Sequence, residues 1–505
     1  MKWCTRAVSA LVVSCAAAGS AAAQSSQQSA VLASQQQGAA VLGAAIDAVG
    51  GIDAIRAVKT LEQRVQLSRV FISQSVRPGA PGIPSSTRFI RLTTEAASDR
   101  LVLEMFQADT SSEAASRVVA TGDDFFGYRI PQNQVQDVDP APLQPLLQAM
   151  PFVPGMLLEA WDRISTVRSL GSASWEGATY DVITYAGKSG EQVALYVDPR
   201  SKLPERSEIL QEHDQFGDAV VEVHYSDYRQ AGELRVPWSV SVKTAGFLIA
   251  SAEYDDVVFN PGWDESLMVR PTGATAGPDG GGPPAGGDAF ALSEITDGVY
   301  QISDVTPQYN VMFVEQDNQV LVIEAPGGPD VTKRVLEIVR QTVPGKPVRL
   351  ILTHHHFDHT AGLWTYLSKG IPVVAGAGNE QFVRDVAASP RTLVGVMRAP
   401  TPNLQVVRDG RAVIGRGANR IELIDVGPNP HADEIFIAYL PGRKLMWVAD
   451  IYGYVPGFTP PPLLLSFADK MDELDLDIET ILTAHTPPST IAEYRDYVKQ
   501  TRESN

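Results

Sequence analysis

Cysteine is nearly absent: the 505-residue chain has 2, Cys4 and Cys15, both close to the start. The rest of the chain therefore forms no disulfide and offers no thiolate to a metal, so any metal must be held by nitrogen and oxygen. Basic residues are in deficit, 41 Lys and Arg against 59 Asp and Glu, for a formal net charge of −18. That balance argues against nucleic acid, whose phosphates need a basic footprint, and against electrostatic docking on anionic lipid. No transmembrane segment is expected, because the apolar stretch Ala7 to Ala18 is too short for a permanent span. No fixed-period repeat is evident. Histidine is scarce too, only 8 in all, yet four of them lie within the six positions 354–359.

Lys2 and Arg6 precede the apolar stretch, and Ala21-Ala22-Ala23 follow it. This is the order of a secretory signal with a small-residue cleavage site, so residues 1–23 are read as a signal peptide and the protein as secreted or periplasmic. Val12-Val13-Ser14-Cys15 offers the alternative of a lipoprotein anchored through acylated Cys15. Residues 24–37, a Gln/Ser/Ala tract, read as a flexible spacer. The length calls for two domains. Pro271 to Asp288 is too rich in Gly and Pro for helix or strand, which makes 270–289 a linker between a β-rich domain at 38–269 and a second domain at 290–505.

The chemistry concentrates at His354-His355-His356-Phe357-Asp358-His359. Val348 to Thr353 reads as a buried strand, and Thr360 to Lys369, stopped by Gly370, reads as a helix. The H-x-H-x-D-H spacing therefore sits on a strand-to-helix loop. His354 and His356 point one way from an extended turn and Asp358 and His359 come round from the other, so one loop serves two adjacent cations. Imidazole and carboxylate without thiolate suit Zn first, with Fe or Mn as alternatives. His355 is expected to face away, and His213 and His224 to be strand or loop surface residues.

This motif resembles the metallo-β-lactamase fold of metal-dependent hydrolases, whose further ligands have counterparts here. His431 follows the apolar run Ile421 to Val426, Asp450 ends Lys444 to Ala449, and His485 ends Glu479 to Ala484. The resemblance implies that His354, His356 and His431 hold one metal, that Asp358, His359 and His485 hold the other, and that Asp450 bridges them. It implies two zinc ions per chain and an α+β fold, with an αββα sandwich over 290–505. Two such cations lower the pKa of a shared water, so a metal-bridged hydroxide attacks the substrate, with Asp358 also placed to orient or relay its proton. Glu324, one methylene longer than the Asp common in relatives, is assigned a supporting role.

In the first domain, runs such as Leu61 to Ile72, Val193 to Val197 and Phe247 to Tyr254 alternate like strands, with a Pro-interrupted helix near Leu143 to Ile164. Leu203-Pro204-Glu205-Arg206 and Tyr225 to Arg229 look like pieces of periplasmic lipoprotein-carrier domains. That resemblance implies an antiparallel half-barrel around an apolar cavity, with a hydrophobic ligand as its partner. A β-rich supporting domain is the alternative.

The expected substrate is a small hydrophobic ester, lactone or amide, because Ile451 to Leu465 is rich in aromatics and proline and follows Asp450 directly. A β-lactam hydrolase is the first alternative, with Asp450 against it where Cys or Ser is the common residue. A non-catalytic carrier of lipid or another hydrophobic ligand is the second. Arg391, Arg398 and Arg408 are read as surface arginines, one of which could meet a substrate carboxylate. All seven proposed metal-site residues lie beyond the linker, so the second domain is expected to bind metal unaided.

Overall fold

The computed structural model describes residues 30–504 apart from 86, 96–97, 99, 108–112, 123, 139–142, 277–289, 307–308, 397–400 and 454–458. The expected leader with both cysteines, and most of the expected Gly/Pro linker, lie outside the described residues. Among the described residues, no helix is long and apolar enough to cross a membrane.

Part of the expected spacer is helical. Residues 30–48 form one helix, so 30–37 are not a flexible tract. Ala and Gln are good helix formers, and Leu42, Ala45, Ile46 and Val49 recur at the helical period on a face that is fully buried. Ser34 Oγ donates to Ser169 O, which ties the first turns down.

The first domain is built on one large antiparallel sheet. Thr60–Phe71 lies at its middle and pairs on one side with Arg88–Glu95 and on the other with Phe247–Phe259. Two meanders run outward from there. One ends in Gln134–Asp137, with Thr275–Ala276 alongside in parallel; the other ends in Arg168–Trp175. Pro151 divides the expected long helix into Gln144–Gln148 and Val153–Asp162, whose apolar faces join the N-terminal helix over the sheet. Residues 271–274 are described and lead into Thr275, whose N–H donates to Asn133 O, so this end of the expected linker is tied to the sheet.

The second domain is a four-layer sandwich. Its first sheet begins as a meander, Ala291–Thr296 to Val320–Ile323, and continues in parallel through Val348–Ile351, Val373–Gly376 and Leu404–Val407. The second sheet runs from Arg411–Ile414 to Ser489–Thr490. Its strands alternate between two cores. Leu423, Ala438, Trp447 and Leu482 face the first sheet, while Ile424, Ile437, Met446 and Ile481 pack under the helices Pro461–Leu474 and Ile491–Ser504. Helices Pro329–Thr342 and Glu380–Ala388 contribute buried faces to the first core.

The helix expected from Thr360 to Lys369 is two short ones, Phe357–Thr360 and Leu363–Ser368. Gly362 lies between them with its N–H donating to Ala325 O. A Cβ there would fall 2.0 Å from Thr332 Oγ1, so only glycine allows this approach.

Candidate metal centre

Every proposed ligand follows a strand or starts a helix at one edge of the sandwich. Val348–Ile351 delivers His354 and His356, the short helix Phe357–Thr360 carries Asp358 and His359, Leu445–Val448 leads to Asp450, and Thr480–Thr483 leads to His485. His431 lies on the loop between Ile421–Asp425 and Phe436–Leu440. The structure brings all seven together in two groups, His354, His356, His431 and Asp450, and Asp358, His359, Asp450 and His485. Within each group the ligand atoms lie within 4.8 Å of one another.

Asp450 belongs to both groups and presents one oxygen to each. Its Oδ2 is 3.3 Å from His431 Nε2 and 3.8 Å from His354 Nε2. Oδ1 is 2.8 Å from His359 Nε2 and 3.0 Å from His485 Nε2. Asp358 Oδ2 completes the second group, 3.2 Å from His485 Nε2 and 3.4 Å from His359 Nε2. His355 is buried but belongs to neither group.

These donors fit cations. His356 Nδ1 is buried without a hydrogen-bond partner, which is costly unless something else satisfies it, and His359 Nε2 and Asp450 Oδ1 are buried against each other at 2.8 Å. His354 Nε2 and His431 Nε2 approach to 3.1 Å, two ring nitrogens converging on a common point. The opposite ring atoms are held in the matching tautomers. Thr353 Oγ1 donates to Glu324 Oε1 at 2.6 Å, so its lone pair is left to accept from His354 Nδ1 at 2.9 Å, which frees Nε2 for metal. His359 Nδ1 meets Glu324 Oε2 at 3.2 Å and the Tyr309 hydroxyl.

Glu324 thus supports two ligands, and its backbone sits at φ +79°, a conformation costly for a side chain of this kind. Its N–H donates to Ile351 O, and the next N–H, of Ala325, donates to His359 O, which pins the metal helix. Tyr309 and Thr353 carry no spacing signal that would have singled them out in the sequence.

The groups differ in protonation. Burial, reinforced by neighbouring histidines, holds His354 well below the ordinary histidine range and His356 down at about 3, so both offer lone pairs at neutral pH. In the second group burial works against charge but is outweighed. Asp450, Asp358 and Glu324 hold His359 well above its ordinary value, and the bonds to Asp358 and Asp450 raise His485 to about 9. Asp358 and Asp450 are lowered by the same histidines against the effect of burial.

A cation entering the second group must displace those protons. Titrating metal-free protein with zinc near pH 7.5 is expected to release about one proton per imidazolium displaced, mainly with the second equivalent. Occupancy of that group should strengthen as pH rises toward 9 and weaken below it. A pH-indicator titration with no proton release at the second equivalent would contradict this difference.

Residues 305–485 match the family model of the metallo-β-lactamase superfamily. The C-terminal half carries a metallo-β-lactamase superfamily domain. It is a hydrolase domain with a histidine-rich metal site. No curated protein matches the chain. Among solved structures, a metallo-β-lactamase from Pontibacter korlensis is 14% identical, covers 42% of this chain and 99% of its own, and has a TM-score of 0.34. The mono-zinc form of FIM-1 from Pseudomonas aeruginosa is 15% identical over 43% of this chain and 96% of its own, at 0.32. The inverting sec-alkylsulfatase Pisa1 from Pseudomonas sp. is 16% identical over 42% of this chain and 41% of its own, also at 0.32.

The metallo-β-lactamase domain does not stand apart from the first domain. Phe357 N–H donates to Ser73 O, Gln215 Nε2 donates to Thr360 Oγ1 at 2.7 Å, and Asp433 N–H donates to Val76 O. The metal loop is therefore held from both domains. His213 is half-buried at this junction and stacks on Phe216; burial lowers it to about 4, so it is no surface histidine. His224 is half-buried as well, beside Trp175 and Glu222.

Arg391 is also at the junction rather than on the surface. Its side chain is 1% exposed, paired with Glu212 and set over the Trp364 ring. Arg408 pairs with Glu380, and Arg398 lies outside the described residues.

Proposed function

We infer that the metallo-β-lactamase domain hydrolyses a small, partly apolar ester, lactone or amide with two cations, zinc first. The observation that carries this reading is Asp450, one oxygen turned to each of two ligand groups. His354, His356 and His431 would hold one cation and Asp358, His359 and His485 the other. When bound, such a pair supplies Lewis acidity and a water of lowered pKa. The chain's residues do the rest. Asp358, the most exposed of the carboxylates here at 33%, faces His485 and is placed to hold or pass a proton beside the substrate.

Pro430, Pro460, Pro462 and Leu463 wall a cleft of about 400 Å³ that includes His431, Asp450 and His485. A stiff apolar wall beside the ligands favours a substrate with an apolar face. Tyr454 to Phe458, part of the expected wall, lie outside the described residues. In the first domain a separate cavity of about 690 Å³, lined by Leu61, Leu92, Leu101, Phe125 and Met150, supports a hydrophobic-ligand role like that of the carrier domains it resembles in sequence. The charged, apolar start of the chain supports secretion or a periplasmic location.

The test is a screen of zinc-loaded full-length protein on aryl esters, lactones, β-lactams, phosphodiesters and sulfate esters. Turnover of esters or lactones, abolished by chelator and restored by zinc, is expected. Turnover confined to phosphodiesters or sulfate esters would overturn the substrate class, and no turnover of any would overturn the hydrolase reading.

A further inference from the structure

The turn Ser73 to Arg77 leaves the central strand of the first domain and reaches the metal centre. There its contacts fall on the ligands themselves. Gln74 Nε2 donates to Asp358 Oδ1 at 2.7 Å, the oxygen opposite the one that faces His359 and His485. His356 Nε2 lies 3.0 Å from Ser75 O, and because a carbonyl only accepts, that ring nitrogen carries the proton. His356 Nδ1 is then a lone pair, and it is the buried atom left without a partner. The N–H of Phe357, between these two ligands, is bonded to Ser73 O.

We propose that this turn is a working part of the metal centre, with Gln74 a positioning residue that orients Asp358 for the second cation and Ser75 O fixing the tautomer through which His356 takes the first. The proposal rests on the binuclear reading. Metal ligands ordinarily have their free atoms held by such partners, and losing one costs roughly 10- to 100-fold in metal affinity. Here the partners come from the other domain. The first domain therefore acts on the chemistry directly, through a carboxamide and a carbonyl, whatever else it binds.

The turn itself is built to hold its place. Ser75 is buried, with its hydroxyl donating to Arg77 O, and Val76 O accepts from Asp433 N–H, two residues beyond His431. Gln74 is only half-buried, so replacing it does not empty a core.

The experiment uses the full chain. Gln74→Leu keeps the approximate side-chain volume and removes the donor; Gln74→Glu sets a carboxylate against Asp358. Zinc affinity is measured by competition with a chelating dye, and cobalt-substituted protein is followed by its visible spectrum. Gln74→Leu is expected to weaken the second zinc at least about 10-fold, leave the first unchanged and alter the cobalt spectrum of the second equivalent. Gln74→Glu should weaken it further. Unchanged affinities and spectra in both folded variants would overturn the proposal and leave the binuclear reading intact. Wild-type protein that takes up no zinc would overturn both. A lowered melting temperature with wild-type metal binding would mean that the turn is only a docking contact, which also overturns it.

Discussion

Asp450→Asn is expected to lower turnover by about two orders of magnitude or more, because paired cations supply several kcal/mol of transition-state stabilisation and each 1.4 kcal/mol is roughly tenfold in rate. The substitution keeps the shape of the side chain but removes the charge that both groups share through its two oxygens. Bound zinc, counted by elemental analysis after desalting, should fall from two to one or none. His355→Ala, on the same loop but outside both groups, should keep both cations. An Asp450→Asn protein with two tightly held zinc ions and wild-type rates would mean that the bridge is a coincidence of packing.

Arg391→Ala is expected to destabilise the metal-free protein by about 2 to 3 kcal/mol. Breaking a fully buried ion pair costs about 3 to 5 kcal/mol, and Glu212, 35% exposed, recovers part of that from water. The arginine also donates to Asp214 O and covers the Trp364 ring, contacts that alanine cannot replace. Asp218 accepts from the backbone N–H groups of Thr392 and Leu393 nearby, so the junction would be loosened rather than lost. Urea unfolding should show a lower midpoint, with limited proteolysis cutting earlier in the 390–396 segment. A shift below about 0.5 kcal/mol, the size of an ordinary surface substitution, would contradict the assigned role.

The metal loop was legible in the sequence because its information is local: four ligands, three His and one Asp, within six positions after a β-rich run cannot be arranged in many ways. His431, Asp450 and His485 were legible through the resemblance and because each stands just past an apolar strand, which delivers it to the same sheet edge. Glu324 was legible as a supporting carboxylate, though not its contacts with Thr353 and His359. What escaped was the part that depends on contacts between distant segments. Gln74 meets Asp358 across 284 positions and Ser75 meets His356 across 281, and neither residue type carries a pattern that marks such a role. Arg391 looked like a surface residue for the same reason, since only the approach of Glu212 and Asp214 from the other domain buries it.

Composition misled in the first domain. The Gln/Ser/Ala tract looked featureless, yet its residues favour helix and lead straight into the buried face at Leu42 to Val49. Arg168–Trp175, rich in Ser, Ala and Gly, and Pro204–His213, mostly polar, gave no strand signal. They pair because their neighbours in the meander are strong strands, so that tertiary context decides where propensity is weak.

A pair of cations sharing Asp450 is tested most directly by anomalous-scattering crystallography of the zinc-loaded full-length protein. Two zinc peaks are predicted, one among His354, His356 and His431 and one among Asp358, His359 and His485, with an oxygen of Asp450 toward each. A single peak in one group, peaks elsewhere, or none in zinc-saturated crystals would contradict it.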